Sequence, residues 1–197
     1  RVKQNMGTFK KLSLSLIAST VFLTGCQQFT QPLGSAPTQM IEANNQFNLQ
    51  GKIGVRTPQQ SGSAFFRWVQ EQQEFDIELS GMLGIGKTQI SGKSGQVTLN
   101  SANTGLVTAN TPEELLEQAT GWKAPITNLV SWIQARPATS TAQIQKDENN
   151  RPTQFIENDW TVDLSYNEQA TLPNKLILKQ SLESGQENRI TMIIQNR

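Results

Sequence analysis

Few side chains here could do chemistry, and their types limit it. The chain contains no histidine and one cysteine, Cys26. Imidazole bases, Ser-His-Asp and Cys-His nucleophiles, most zinc sites and any intrachain disulfide are therefore excluded. Carboxylates remain, and they are scattered. Asp76 and Glu78 fall on the polar side of a period-two segment, Glu113 and Glu114 open a helix, and Asp159 and Asp163 lie around a strand start. A glycosidase-type pair needs two carboxyls about 5 to 10 Å apart across a pocket, which outward positions do not supply. The stretch Gly81-Met82-Leu83-Gly84-Ile85-Gly86 is glycine-rich but joins two strands and lacks the Lys-Ser/Thr of a phosphate loop. These residues argue against an enzyme, and neither a metal nor a cofactor is expected.

The chemistry expected at Cys26 is acylation. Lys10-Lys11 precede an apolar run, residues 12 to 23, which ends in Leu23-Thr24-Gly25-Cys26. The run falls short of the roughly 20 residues a membrane span needs, so residues 1–25 read as a signal peptide. The terminal box matches the bacterial lipoprotein signal, in which the cysteine becomes a lipidated N-terminus. Met6 would begin a signal peptide of usual proportions, and residues 1–5 are expected to lie outside the translated chain. Gln27, which is not aspartate, points to the outer membrane rather than to retention at the inner one. Residues 26–44 are expected to be the acylated cysteine and a tether, because 27 to 38 are rich in Gln, Pro, Gly and Ser and can bury little. Four of the 17 bases precede Cys26, leaving 13 against all 16 acids. A mildly acidic mature chain has no electrostatic reason to bind nucleic acid.

Residues 45–197 must position everything else, and their pattern is mostly period two. Phe47, Leu49, Gly51, Ile53 and Val55 alternate with mostly polar residues, as do Ala64, Phe66 and Trp68, and Phe75, Ile77 and Leu79. Strands are expected at 47–56, 63–70, 75–79, 86–91, 96–100, 105–109, 142–146, 153–157, 160–166, 175–180 and 188–195, about eleven in all. Two helices interrupt them. Thr111-Pro112-Glu113-Glu114 forms a capping box and Gly121 follows the helix. Pro125 opens the second, with Ile126, Leu129, Val130 and Ile133 at helical spacing, and Pro137 ends it. The fold class is mainly β: a strongly curved antiparallel sheet or incomplete barrel, with the helices as a lid on its concave side. Phe66, Trp68, Phe75, Ile77, Leu79, Trp160, Val162 and Leu164 face inward without a charge, which on composition suits an ordinary core better than a cavity wall. Met82, Leu83 and Ile85 put apolar residues where turns are usually polar, suiting either an exposed tip or a plug.

Three segments, Phe47 to Val55, Gly62 to Gln70 and Phe75 to Gly84, carry a resemblance through their order and spacing. Pro125-Ile126, Leu129, Trp132-Ile133 and Arg136-Pro137 extend it, as do Trp160-Thr161-Val162 and Leu172-Pro173-Asn174-Lys175-Leu176. Together these resemble the outer-membrane lipoprotein LolB family across the mature domain. Met82 stands where that family commonly has proline, and Ala135 where it commonly has glycine. The resemblance implies a half-open LolA/LolB-like β-barrel whose cavity, lined by the inward residues above with Leu129, Trp132 and Ile133, holds acyl chains. It implies a monomer that accepts lipoproteins from the periplasmic carrier LolA and inserts them into the inner leaflet of the outer membrane, Leu83 at a protruding tip. The competing expectation is a lipoprotein scaffold of an outer-membrane assembly, which would need a partner face rather than a cavity.

Overall fold

The computed structural model describes residues 45–81, 87–102, 104–121 and 124–197. Cys26, the tether and the tip residues Met82, Leu83 and Ile85 lie outside them. The elements run β1 (Gln46–Arg56), β2 (Ser61–Glu71), β3 (Glu74–Ser80), β4 (Thr88–Lys93), β5 (Gln96–Ser101), β6 (Gly105–Ala109), α1 (Pro112–Thr120), α2 (Ile126–Trp132), β7 (Gln143–Lys146), β8 (Pro152–Glu157), β9 (Trp160–Ser165), β10 (Lys175–Ser181) and β11 (Glu187–Asn196). The expected strands are all present among the described residues. Displacements reach two residues: β2 begins at Ser61 rather than residue 63, and β4 ends at Lys93 rather than residue 91, because Lys93 pairs with Gln96 across a two-residue turn.

All strands join one antiparallel sheet in the order β6-β5-β4-β3-β2-β1-β11-β10-β9-β8-β7. Two meanders are thus joined by pairing of the first strand with the last, leaving β6 and β7 as edges of an open sheet. The turns suit their sequences: Asn158 and Asp159 both take positive φ, 50° and 63°, between β8 and β9, as a two-residue hairpin of right-handed twist requires. Near the seam between β1 and β11 the register shifts at Gln50/Gly51. A Cβ on Gly51 would collide with the Ile193 carbonyl oxygen and lie 3.0 Å from the Phe66 ring, so only glycine admits that approach.

The helices follow their caps, with two differences. Thr111 Oγ1 accepts the Glu114 N–H at 3.1 Å, and Gly121 closes α1 at φ 72°. The Glu114 carboxylate, however, accepts from the Asn110 N–H at 3.2 Å, one residue before the cap. Helix α2 stops well before Pro137. It closes on Ala135, at φ 56°, with Ala135 N–H donating to the Trp132 carbonyl and Arg136 N–H to the Ser131 carbonyl. That is the Schellman arrangement, with alanine in the left-handed position that usually takes glycine.

Candidate functional site

Beneath the helices the concave face divides into a hollow part and a filled part. The hollow part is a cavity of about 100 Å³ lined by Ile53, Val55, Phe66, Trp68, Ile77, Leu79, Ile90, Leu99, Ile190 and Met192 from the sheet, and by Pro112, Leu115, Leu116, Ala124, Ile126 and Leu129 from the helical segment. Every one of these side chains is apolar. Alternation brings the strand residues to one side, and α1 covers them by burying Leu115 against Val97 and Leu99.

Of the residues anticipated as cavity lining, Phe66, Trp68, Ile77, Leu79 and Leu129 meet here. Trp132, Ile133, Trp160, Val162 and Leu164 do not border the cavity. They are packed with Phe155, Leu176 and Leu178 in the main core, all at most 5% exposed. The reason is size: the Trp132 and Trp160 rings fill the space between α2 and β8–β10. Phe75 borders a more polar recess instead.

That recess, about 510 Å³, shares Trp68, Ile77, Pro112 and Ile126 with the cavity and is otherwise walled largely by polar residues, among them Gln70, Gln73, Lys93, Asn110, Thr127 and Ser131. Trp68 stands at the junction. Its indole N–H donates to Gln70 Oε1 at 2.9 Å, Gln70 Nε2 donates to the Gln72 carbonyl at 2.8 Å, and Phe47 meets its ring edge-on at 5.3 Å. The ring can therefore face apolar space without leaving a polar atom unsatisfied.

Sequence reasoning missed Glu157, which decides how the lid is held. It is 6% exposed and accepts three hydrogen bonds: from the Trp132 indole N–H at 2.6 Å, the Ala138 N–H at 2.9 Å and the Thr139 N–H at 2.7 Å. Burial raises the Glu157 pKa, but these donors together outweigh it and hold the carboxyl below its ordinary range. The signal was available, since Glu157 falls in the same alternation phase as buried Phe155. Arg136 adds a bond to Asn45 Oδ1 at 2.7 Å, and Arg197 one to the Ile133 carbonyl at 2.8 Å, so the C-terminal end of α2 is tied on three sides. At its other end α2 has no cap of its own. Glu113 of α1 serves instead, accepting the Thr127 N–H at 2.7 Å and its hydroxyl at 3.1 Å.

The family model described as outer membrane lipoprotein LolB matches residues 45–196, most of the chain and nearly all of what is described. The chain belongs to the LolB family. Relatives carrying the name outer-membrane lipoprotein LolB include those of Pseudomonas savastanoi pv. phaseolicola, 37% identical over 92% of each chain, and of Pseudomonas paraeruginosa, 34% identical over 94% of this chain and 96% of the other. A solved LolA superfamily protein from Nitrosomonas europaea matches 77% of this chain and 88% of its own, with 10% identity and a TM-score of 0.43. Membership in LolB makes this a lipid-anchored protein of the outer membrane and not an enzyme. Two carboxylates whose pKa folding lowers in this LolB domain have structural partners. Glu157 is a structural acceptor, while Asp163 is lowered against burial by Lys179 and Gln154.

Proposed function

We propose that the apolar cavity takes up acyl chains of lipoproteins delivered by LolA, and that the chain, acting as a monomer anchored through Cys26, passes them to the inner leaflet of the outer membrane. The observation that carries this is a wholly apolar cavity under a lid anchored firmly at one end. LolB membership supports LolA and lipoprotein cargo as the partners.

Such a handover needs no nucleotide. Each methylene moved out of water contributes about 0.8 kcal/mol, so a cavity only has to compete with the carrier and yield to the bilayer. A volume of about 100 Å³ is below the roughly 300 Å³ at which ligand pockets begin. Acceptance therefore requires the cavity to widen. The movable wall is α1, whose tie to α2 is a solvent-exposed hydrogen bond from Thr127 to half-buried Glu113, whereas α2 is held by buried Glu157. Met82, Leu83 and Ile85 would enter the interfacial layer and disturb lipid packing where cargo leaves.

The test mixes purified protein with lipoprotein-loaded LolA, without ATP, and follows cargo into solution complexes and then into vesicles. Transfer is expected in both steps. Leu83→Glu should accept cargo normally and insert it much more slowly. No transfer by a folded protein would favour the scaffold role.

A further inference from the structure

One glycine of the convex face has no packing reason to be glycine. Gly51 is required by the Ile193 carbonyl, but Gly54, in the same strand, is not. A Cβ there would meet the Gly62 and Thr191 carbonyl oxygens at 3.8 and 4.0 Å, ordinary contact distances. A glycine in a strand interior often marks a bulge, a tight bend, or a place where another backbone or a ligand comes close, and no backbone crowds Gly54.

The surroundings of Gly54 say which ligand. It pairs with Ser63 on one side and Thr191 on the other, and the neighbouring row is Ser61, Arg56 and Arg189. These residues line a groove of about 610 Å³ that also reaches Gly81. Arg56 and Arg189 are direct cross-strand partners, a position in which like charges repel. Lys179 continues the row but is paired with Asp163 at 2.7 Å. Arg189 Nε lies 3.0 Å from Glu187 Oε1 yet is buried without a hydrogen bond, the carboxylate standing off the N–H direction. Among the described residues, no carboxylate is within ion-pair distance of Arg56. Two guanidiniums with spare donors, facing each other beside hydroxyls and a missing side chain, suit a phosphate. The row next to Gly54 is apolar and cationic: Phe65, 54% exposed, Lys52 with its ammonium 4.9 Å over that ring, and Ile193, 40% exposed.

We propose that this groove binds the phosphodiester of a phospholipid headgroup, with Phe65 and Ile193 against the glycerol and upper acyl region. Phospholipid is favoured over free phosphate because an apolar row adjoins the anion site and because the protein is anchored to a membrane. Side chains of β1 alternate between the two faces, Ile53 bordering the cavity and Gly54 and Arg56 the groove, with Val55 alone common to both linings, so the arginines lie on the face opposite acyl-chain uptake. It would hold the convex face on the leaflet and bring Gly81, which precedes the apolar tip, to the lipid.

The test uses the full chain carrying Cys26→Ser, so that its own acyl chains do not dominate. It is titrated by calorimetry with glycerophosphoglycerol, the headgroup diester without acyl chains, and with inorganic phosphate, and floated with phosphatidylglycerol vesicles. Gly54→Leu fills the groove, and Arg56→Gln removes an exposed charge without touching the core. Each should weaken diester binding and vesicle flotation at least tenfold, with unchanged melting and unchanged cargo acceptance from LolA. The proposal is overturned if the diester does not bind, if Arg56→Gln binds it normally, or if inorganic phosphate binds as tightly. Failure of cargo transfer by the unsubstituted groove would sink the acyl-cavity reading and leave this one standing.

Discussion

Beneath α2 and β8–β10, the side chains of Trp132, Ile133, Phe155, Val162, Leu176 and Leu178 are all at 0% exposure, and a buried carboxylate pins the helix over them. Under α1, the same curved sheet presents Ile77, Leu79, Ile90 and Leu99 to an unfilled apolar space. Both regions arise from the same inward alternation, and both are covered by amphipathic helices. They differ in what the helices bring. α2 supplies an indole ring and a tied C-terminus, whereas α1 supplies Leu115 and Leu116 and is tied to α2 through a solvent-exposed hydrogen bond to half-buried Glu113. The filled end is where the fold stores stability; the hollow end leaves an apolar space unfilled.

Four substitutions would break or sharpen that contrast. Phe155→Ala, at the centre of the filled end, should cost about 3–5 kcal/mol by leaving a cavity that rigid neighbours cannot close. Denaturant melts check it, and a loss under 1 kcal/mol would show that this end is loose as well. Glu157→Gln keeps the shape but turns an amide N–H₂ toward donors, and should cost about 2–3 kcal/mol.

Its pH signature has a definite sign. The folded Glu157 pKa is depressed, so its contribution is fully present above the ordinary glutamate range and is lost as pH falls through the folded value. Asp163 and Asp147 shift the same way, so the measurement is the difference between the two proteins. Their stabilities should converge in acid, and a constant gap from neutral to acid would show that folding leaves the Glu157 pKa unshifted.

Ala135→Gly should stabilise by about 1 kcal/mol, since Ala135 holds a left-handed conformation that glycine adopts without strain. A melting temperature that falls instead would mean that the alanine methyl packs usefully. Ala124→Leu, at the hollow end, should change stability by under about 1 kcal/mol because there is space to fill. Its larger effect belongs to function: uptake of an acyl probe should drop while the melt is unmoved. If uptake is normal, the cavity is not the route.

Much of the fold could be read directly from residue order. The eleven strands, the Thr111 cap and the inward positions of Phe66, Trp68, Ile77 and Leu79 each follow from period and turn chemistry within a few neighbours. The assignment of Trp160, Val162 and Leu164 to a cavity wall shows the limit of that reading. Their inward phase was right, but phase does not say whether the facing space is occupied. Glu157 was legible as an acid in the phase of Phe155, though its donors at Trp132, Ala138 and Thr139 lie 18 to 25 residues away.

What the chain by itself determined was local: no imidazole, one cysteine in a lipoprotein box, alternating strands and two capped or proline-opened helices. Which apolar residues surround empty space, which carboxylate fastens the lid, and which arginines face each other were decided only by tertiary structure. The pairing of β1 with β11 sets Arg56 opposite Arg189 across 132 intervening positions. Local propensity acts through neighbouring backbone and cannot carry that register. It is set by the closing of the two meanders on one another, and by the side-chain volumes that happen to meet when they do.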